Sequence, residues 1–268
     1  MKKILLISIF CVFSFKIQAQ EILFKLAYKP NMVYNQSTET TSKSVITYLG
    51  PQELLKRLQE KKLQNPKVTL SKNYIKNISS TGSLKNEQFP ITIKFEGDEN
   101  SIVPSGTMIY GHVKKDKLPE LDSINAPKLD SIYKINFLSA MRKVINQLIL
   151  PEKKIQVGES FSREIPLIIP VGKFIFNFNT KITYTLKKIE NKKAYFNIVQ
   201  NYTMNSKETG LNLKADGSGN GKIIYDIDNT FYLLYESNSI INMKVENKDI
   251  NFKITSESKT EQTTVITK

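Results

Sequence analysis

Few residues in this chain offer chemistry. The sole histidine, His112, lies in the run Tyr110-Gly111-His112-Val113. A hydrolytic triad would need it as the base beside an activated serine, yet no serine occupies the Gly-x-Ser-x-Gly turn that exposes a nucleophile. Zinc takes three or four nitrogen, sulfur or carboxylate ligands, and one histidine with one cysteine is a poor start for such a set. In Asp216-Gly-Ser-Gly-Asn-Gly221, Asp216, Ser218 and Asn220 alternate as the oxygen ligands of a calcium loop do. The twelfth position of such a loop carries a bidentate glutamate, and here it is Ile227, so these three residues form only a weak calcium candidate. The same glycines lack the Gly-Lys-Ser/Thr ending of a phosphate loop. Glycoside hydrolysis needs two facing carboxylates, for which Glu159, Glu164, Asp226, Asp228 and Glu236 are available, but no spacing pairs any two of them. The sequence therefore names no catalytic residue and no cofactor, and a hydrolase is its remote reading.

Composition narrows the setting. Lys2 and Lys3, the apolar run Ile4–Phe15 and the small residue Ala19 form a leader over residues 1–19, cleaved near Ala19. Its apolar run is too short to span a bilayer, and no later segment is long enough, so no transmembrane segment is expected. Cys11, the one cysteine, lies inside the leader after the bulky Phe10, so the cleaved chain has neither disulfides nor thiol chemistry. The chain holds 39 Lys and Arg against 25 Asp and Glu, a formal charge of +14. This excess is spread among apolar residues rather than gathered in blocks, as on the solvent face of strands. Only three residues, Arg57, Arg142 and Arg163, are arginines. With export and no basic helical stripe, nucleic acid is excluded as a partner, which leaves weak attraction to an anionic membrane surface.

The positioning elements are mostly strands. From Phe174 to Leu186 the even positions read Phe174, Phe176, Phe178, Thr180, Ile182, Tyr184 and Leu186, with polar residues between most of them. This period of two marks a half-buried strand, and at about 3.3 Å per residue it would run about 40 Å. Such length calls for neighbours of similar length and predicts a large curved antiparallel sheet or half-barrel. Residues 20–130 form a β-rich half in which the first strand folds back on Met32–Tyr48, and Pro51 opens a short helix over 51–64. The sequence further predicts a turn at Asp98–Asn100, an exposed excursion or a linker between halves over 114–130, and a single strand over Lys153–Pro170. Residues 131–268 begin with a helix at 136–149, where Phe137, Leu138, Met141, Val144, Ile145 and Leu148 make one stripe. An antiparallel meander follows, with turns at Glu190–Lys192, Asp228–Asn229 and Asn247–Asp249.

The expected fold class is mainly β (α+β), with two amphipathic helices and the 136–149 helix packed on the concave face of the sheet. One functional reading is a non-enzymatic scaffold or protein-binding module of the bacterial envelope, whose partner is an unknown envelope protein. The other is carriage of a lipid or other apolar small molecule between sheet and helix, lined by Phe137, Leu138, Met141, Phe176, Phe178, Ile182 and Tyr184.

The stretch from Leu150 to Phe161, the long alternating strand after it and Gly217–Gly221 running to Tyr225-Asp226 carry a likeness. They resemble an uncharacterised family of exported β-rich proteins from Bacteroidota, a domain of unknown function. The resemblance implies bacterial export, to the periplasm or beyond, and β architecture. It transfers no catalytic residue. A more distant likeness, in shape alone, is to the half-barrel lipoprotein carriers of the periplasm.

Overall fold

The computed structural model describes residues 21–97, 103–148, 152–171, 174–208, 211–246 and 251–268. The leader and the turns expected at Asp98–Asn100 and Asn247–Asp249 lie outside the described residues. In chain order the elements are β1 (Glu21–Phe24), β2 (Val33–Leu49), α1 (Gln52–Glu60), β3 (Lys67–Thr81), β4 (Gln88–Glu96), β5 (Met108–Lys114) and β6 (Pro119–Asn125). They continue with α2 (Ser131–Leu148), β7 (Lys153–Gln156), β8 (Ser160–Val171), β9 (Phe174–Glu190), β10 (Lys193–Glu208), β11 (Leu211–Asp226), β12 (Phe231–Glu246) and β13 (Asn251–Thr267). Among the described residues no helix is long and apolar enough to cross a membrane.

Eleven strands form one antiparallel sheet in the order β6-β5-β4-β3-β2-β13-β12-β11-β10-β9-β8, and β1 and β7 form a separate two-stranded ribbon. The long alternating run is continuous within β9, as its periodicity predicts. The sheet is nevertheless open, with β6 and β8 as unjoined edges, so the curved sheet or half-barrel expected from that strand does not form. Its apolar face is covered by other elements instead. Ile22 and Phe24 of β1, Ile155 of β7, and Leu138 and Ile145 of α2 are buried in one cluster with Phe89, Ile91, Phe196, Ile198 and Tyr225 of the sheet. There is thus no concave wall for α2 to plug. The helix packs beside edge strand β6, where Arg142 donates from Nε to the Leu121 carbonyl (2.8 Å) and from Nη2 to the Asp122 carbonyl (3.0 Å). Those bonds occupy carbonyl groups of an edge strand that would otherwise invite another strand.

Local chemistry sets most boundaries. Asp130 Oδ1 accepts from the backbone N–H groups of Ile132 and Tyr133, both at 2.9 Å, so α2 starts at Ser131 rather than at Asn136. Gly158, at φ +95°, divides the strand expected over Lys153–Pro170 into β7 and β8. The supposed excursion over 114–130 contains β6, a seven-residue strand paired with β5. Asn191 and Lys192, with φ of 49° and 59°, make the two-residue hairpin between β9 and β10. The first strand does not fold back on β2, because longer ladders with β3 and β13 occupy both edges of β2; β1 pairs with β7.

One feature of the sheet divides its face in two. Phe178, Tyr202, Met204, Leu213, Ala215, Met243 and Val245 make a second apolar cluster, separate from the one under α2. Between the clusters runs a transverse row, in register from strand to strand: Ser71, Ser42, Ser258, Ser239, Gly219, Gln200, Ile182 and Arg163. Hydroxyl pairs bridge it, Ser42 to Ser71 and Ser239 to Ser258, both at 2.8 Å. Gln200, though buried, has partners at both ends of its amide: Oε1 accepts from Tyr202 Oη (3.0 Å) and Ser237 Oγ (2.7 Å), and Nε2 donates to Tyr235 Oη (3.0 Å). A Cβ on Gly219 would stand 2.6 Å from Gln200 Oε1, so only glycine leaves room for that amide.

Candidate functional site

At the Arg163 end of this row, next to the larger cluster, lies a cavity of about 420 Å³. Its apolar wall comes from Met141, Val144 and Ile145 of α2, Ile93 and Phe95 of β4, Ile165 of β8, and Ile182 and Tyr184 of β9. Leu26 and Tyr28, in the connection between β1 and β2, close one side, and Tyr232 and Tyr235 of β12 bring phenol groups to another. Gln36, Thr38, Asn77 and Gln262 add neutral polar groups, and among the described residues Arg163 is the only charged side chain in the lining.

Strand periodicity explains how these side chains meet. Along β8, Phe161, Arg163 and Ile165 alternate with the exposed Ser162 and Glu164, so the guanidinium is turned to the same side as the core rings. Glu164 takes the opposite face and accepts from Asn179 Nδ2 at 3.4 Å. Arg163 consequently has no ion-pair partner among the described residues, and its Nη1 atom is buried without a hydrogen bond. Asn77 Oδ1, also in the lining, is likewise buried and unpartnered. Buried polar atoms in native proteins nearly always have partners, and Arg163 Nη1, Asn77 Oδ1 and Ser79 Oγ are three exceptions that share this one cavity. Burial pushes the Tyr184 phenol up to about 12 and that of Tyr232 well above its ordinary value, and the positive charge of Arg163 partly offsets both.

The residues proposed from sequence divide four ways. Met141, Ile182 and Tyr184 line the cavity. Leu138 and Phe137 belong to the surrounding core, with the Phe137 ring 5.9 Å from that of Phe95. Phe178 is buried in the second cluster, away from α2. Phe176 pairs with Ile169 in the β8–β9 ladder, and its side chain lies outside the described residues. Sequence reading missed Arg163, Asn77, Tyr232 and Tyr235. For Arg163 a signal was present: it is one of three arginines in a lysine-rich chain, and it sits in step with Phe161 and Ile165.

The other chemical candidates are engaged elsewhere. His112 Nδ1 is 3.0 Å from Asp122 Oδ2 and its Nε2 is 3.3 Å from Glu120 Oε2, on the outer side of β5–β6. Lys114 also holds Glu120 at 2.6 Å and lowers its carboxyl below the usual range. Asp216, Ser218 and Asn220 lie along β11, paired on both sides and exposed, in extended strand rather than a loop. Asp226 caps the turn at Asn229 (2.9 Å), Asp228 pairs with Lys192 (2.8 Å) and Glu236 with Lys222 (3.0 Å). Glu159 accepts from the Gln156 N–H at 2.9 Å. A broader groove of about 800 Å³ overlies Ser42, Ser71, Gly219, Ser239 and Ser258, but it is more open and no buried unpartnered atom lines it.

Comparison with known families places the chain. A profile for a family of unknown function, DUF6263, matches residues 59–232. The chain belongs to that family. The DUF6263 match runs from the end of α1 into the start of β12 and so takes in Asn77, α2, Arg163, Ile182 and Tyr184. Gln36, Thr38, Tyr235 and Gln262 fall outside it, although they face the same cavity. No curated protein matches the chain.

Proposed function

We propose that this protein is a non-enzymatic binding protein of the bacterial envelope that holds an apolar small molecule in the cavity beside α2. The observation that carries this reading is the cavity itself: about 420 Å³, walled by Ile, Met and Phe side chains and tyrosine rings, with a few polar groups at fixed places. Small-molecule sites are of this kind, roughly 300–1,000 Å³ and mostly apolar with a small number of convergent polar groups. The leader-like residues 1–19 support export, where a carrier of poorly soluble molecules has a use.

A titration with decan-1-ol, followed by calorimetry on the folded protein, tests the cavity. Saturable binding is expected, and Ile182→Trp, which fills the space, is expected to abolish it while leaving the fold intact. Absence of saturable binding to the parent protein would refute the reading.

A second reading rests on a different surface. Ile132, Tyr133 and Ile135 at the start of α2 are 72%, 66% and 68% exposed, the kind of apolar patch through which a scaffold meets a partner protein. Replacing all three by serine would remove such a partner without touching decan-1-ol binding, so the two readings separate.

A further inference from the structure

We infer that the ligand of this cavity is a single-chain amphiphile with an anionic head, carboxylate or phosphate, held by Arg163. The inference rests on the cavity being a ligand site and adds the chemical class of what it takes.

Three observations converge on it. Among the described residues Arg163 is the one charged residue of the lining, which contains no aspartate, glutamate or lysine to serve as its counter-charge. Arg163 is half-buried and its Nη1 is buried without a partner, a cost that an anion arriving from outside would offset. The other two arginines are already used: Arg57 pairs with Glu53 at 2.8 Å, and Arg142 is spent on the carbonyls of β6. The guanidinium is also the side chain suited to a planar carboxylate or to phosphate, since it presents parallel donors in a fixed fork.

The remaining lining gives the rest of the molecule. Ile165 and Ile182 flank the guanidinium along and across the strands, and Ile93, Met141 and Ile145 continue the apolar wall. A volume of about 420 Å³ holds roughly a dozen heavy atoms, taking about 30 Å³ for each water-sized group. That is one medium-length chain with its head, rather than a two-tailed phospholipid. The neutral amide and hydroxyl groups of Gln36, Thr38, Asn77 and Gln262 can hydrogen-bond a head group but cannot neutralise Arg163.

The test compares decanoate, decyl phosphate and decan-1-ol, each titrated calorimetrically below its micelle concentration. The parent protein should bind at least one of the two anions at least about tenfold more tightly than the alcohol, the lower end of what a charge-assisted hydrogen bond contributes. Arg163→Gln should erase that preference, bringing the affinity for both anions down to that for decan-1-ol in the same variant, and Arg163→Lys should keep part of it. Near-ultraviolet circular dichroism verifies that each variant is folded; if Arg163→Gln is not, Arg163→Lys and the ligand comparison on the parent still decide. Whichever anion binds more tightly identifies the head as carboxylate or phosphate.

Equal binding of alcohol and both anions would overturn the anionic assignment while leaving an apolar site. An anion preference that survives Arg163→Gln would overturn the role of Arg163. Failure of all three to bind would refute the cavity reading itself and this inference with it.

Discussion

Removing the ring of Phe24 should unfasten the ribbon that covers the sheet. Phe24 ends a strand of four residues, too short to hold itself in place by ladder hydrogen bonds, and it is fully buried. Its ring lies 4.7 Å from Phe196, 5.0 Å from Tyr225, 5.6 Å from Phe161, 6.1 Å from Tyr184 and 6.3 Å from Tyr232, centroid to centroid. Phe24→Ala in such a site costs about 3–5 kcal/mol, through lost transfer energy and the cavity left behind. Against a typical domain stability of about 5–15 kcal/mol, that is a large fraction. Phe24→Leu keeps most of the volume and should cost about 1–1.5 kcal/mol. Urea unfolding followed by circular dichroism, with linear extrapolation, measures both. If the loss were confined to stability, the midpoint would fall with the slope unchanged. Phe24→Ala within about 1 kcal/mol of the parent would refute the claim that β1 is a structural part of the core.

Two further outcomes follow from local interactions. Asp130→Ala removes the side-chain cap of α2 and should cost about 1 kcal/mol, with faster hydrogen exchange at the Ile132 and Tyr133 amides; unchanged exchange there would refute the cap. The buried phenols set an alkaline limit: burial pushes Tyr28, Tyr184 and Tyr202 up to about 12, whereas in the unfolded chain they ionise near 10. Between those values the folded state holds more protons, so the contribution of these phenols is constant below about pH 10 and stability falls as pH rises toward 12. Tyrosinate absorbance of the folded protein against pH should therefore lag that of the denatured chain, and coincident curves would refute the burial.

Much of the fold was legible because strand periodicity is a local property. The alternation from Phe174 to Leu186 identified β9 and the face of its residues from Phe178 to Leu186, and the apolar stripe containing Phe137, Leu138 and Met141 identified α2. The same pattern was silent on partners. It could not show that β1 would pair with β7, since that depends on β2 being flanked by β3 and β13. It also joined Phe178 to Tyr184 as one lining, whereas the polar row through Gln200 and Gly219 lies between two separate clusters. The apolar stripe places the start of α2 at Asn136, later than the true start, because the first turn is fixed by the Asp130 carboxylate and not by an apolar residue.

Residue by residue, the candidate site was only partly visible. Met141, Ile182 and Tyr184 carried a pattern, while Asn77, Tyr235 and Gln262 are ordinary polar or aromatic positions on strands distant in sequence. What the sequence by itself determined is local: which segments extend, which coil, and which side of each is apolar, because those follow from spacing along one chain. Tertiary structure alone decided that the sheet stays open, that a short ribbon and a helix cover it, and that one half-buried arginine faces a cavity with no counter-charge among the described residues. The physical reason is that pairing and enclosure depend on competition between segments far apart in the chain, and no spacing within one segment records its outcome.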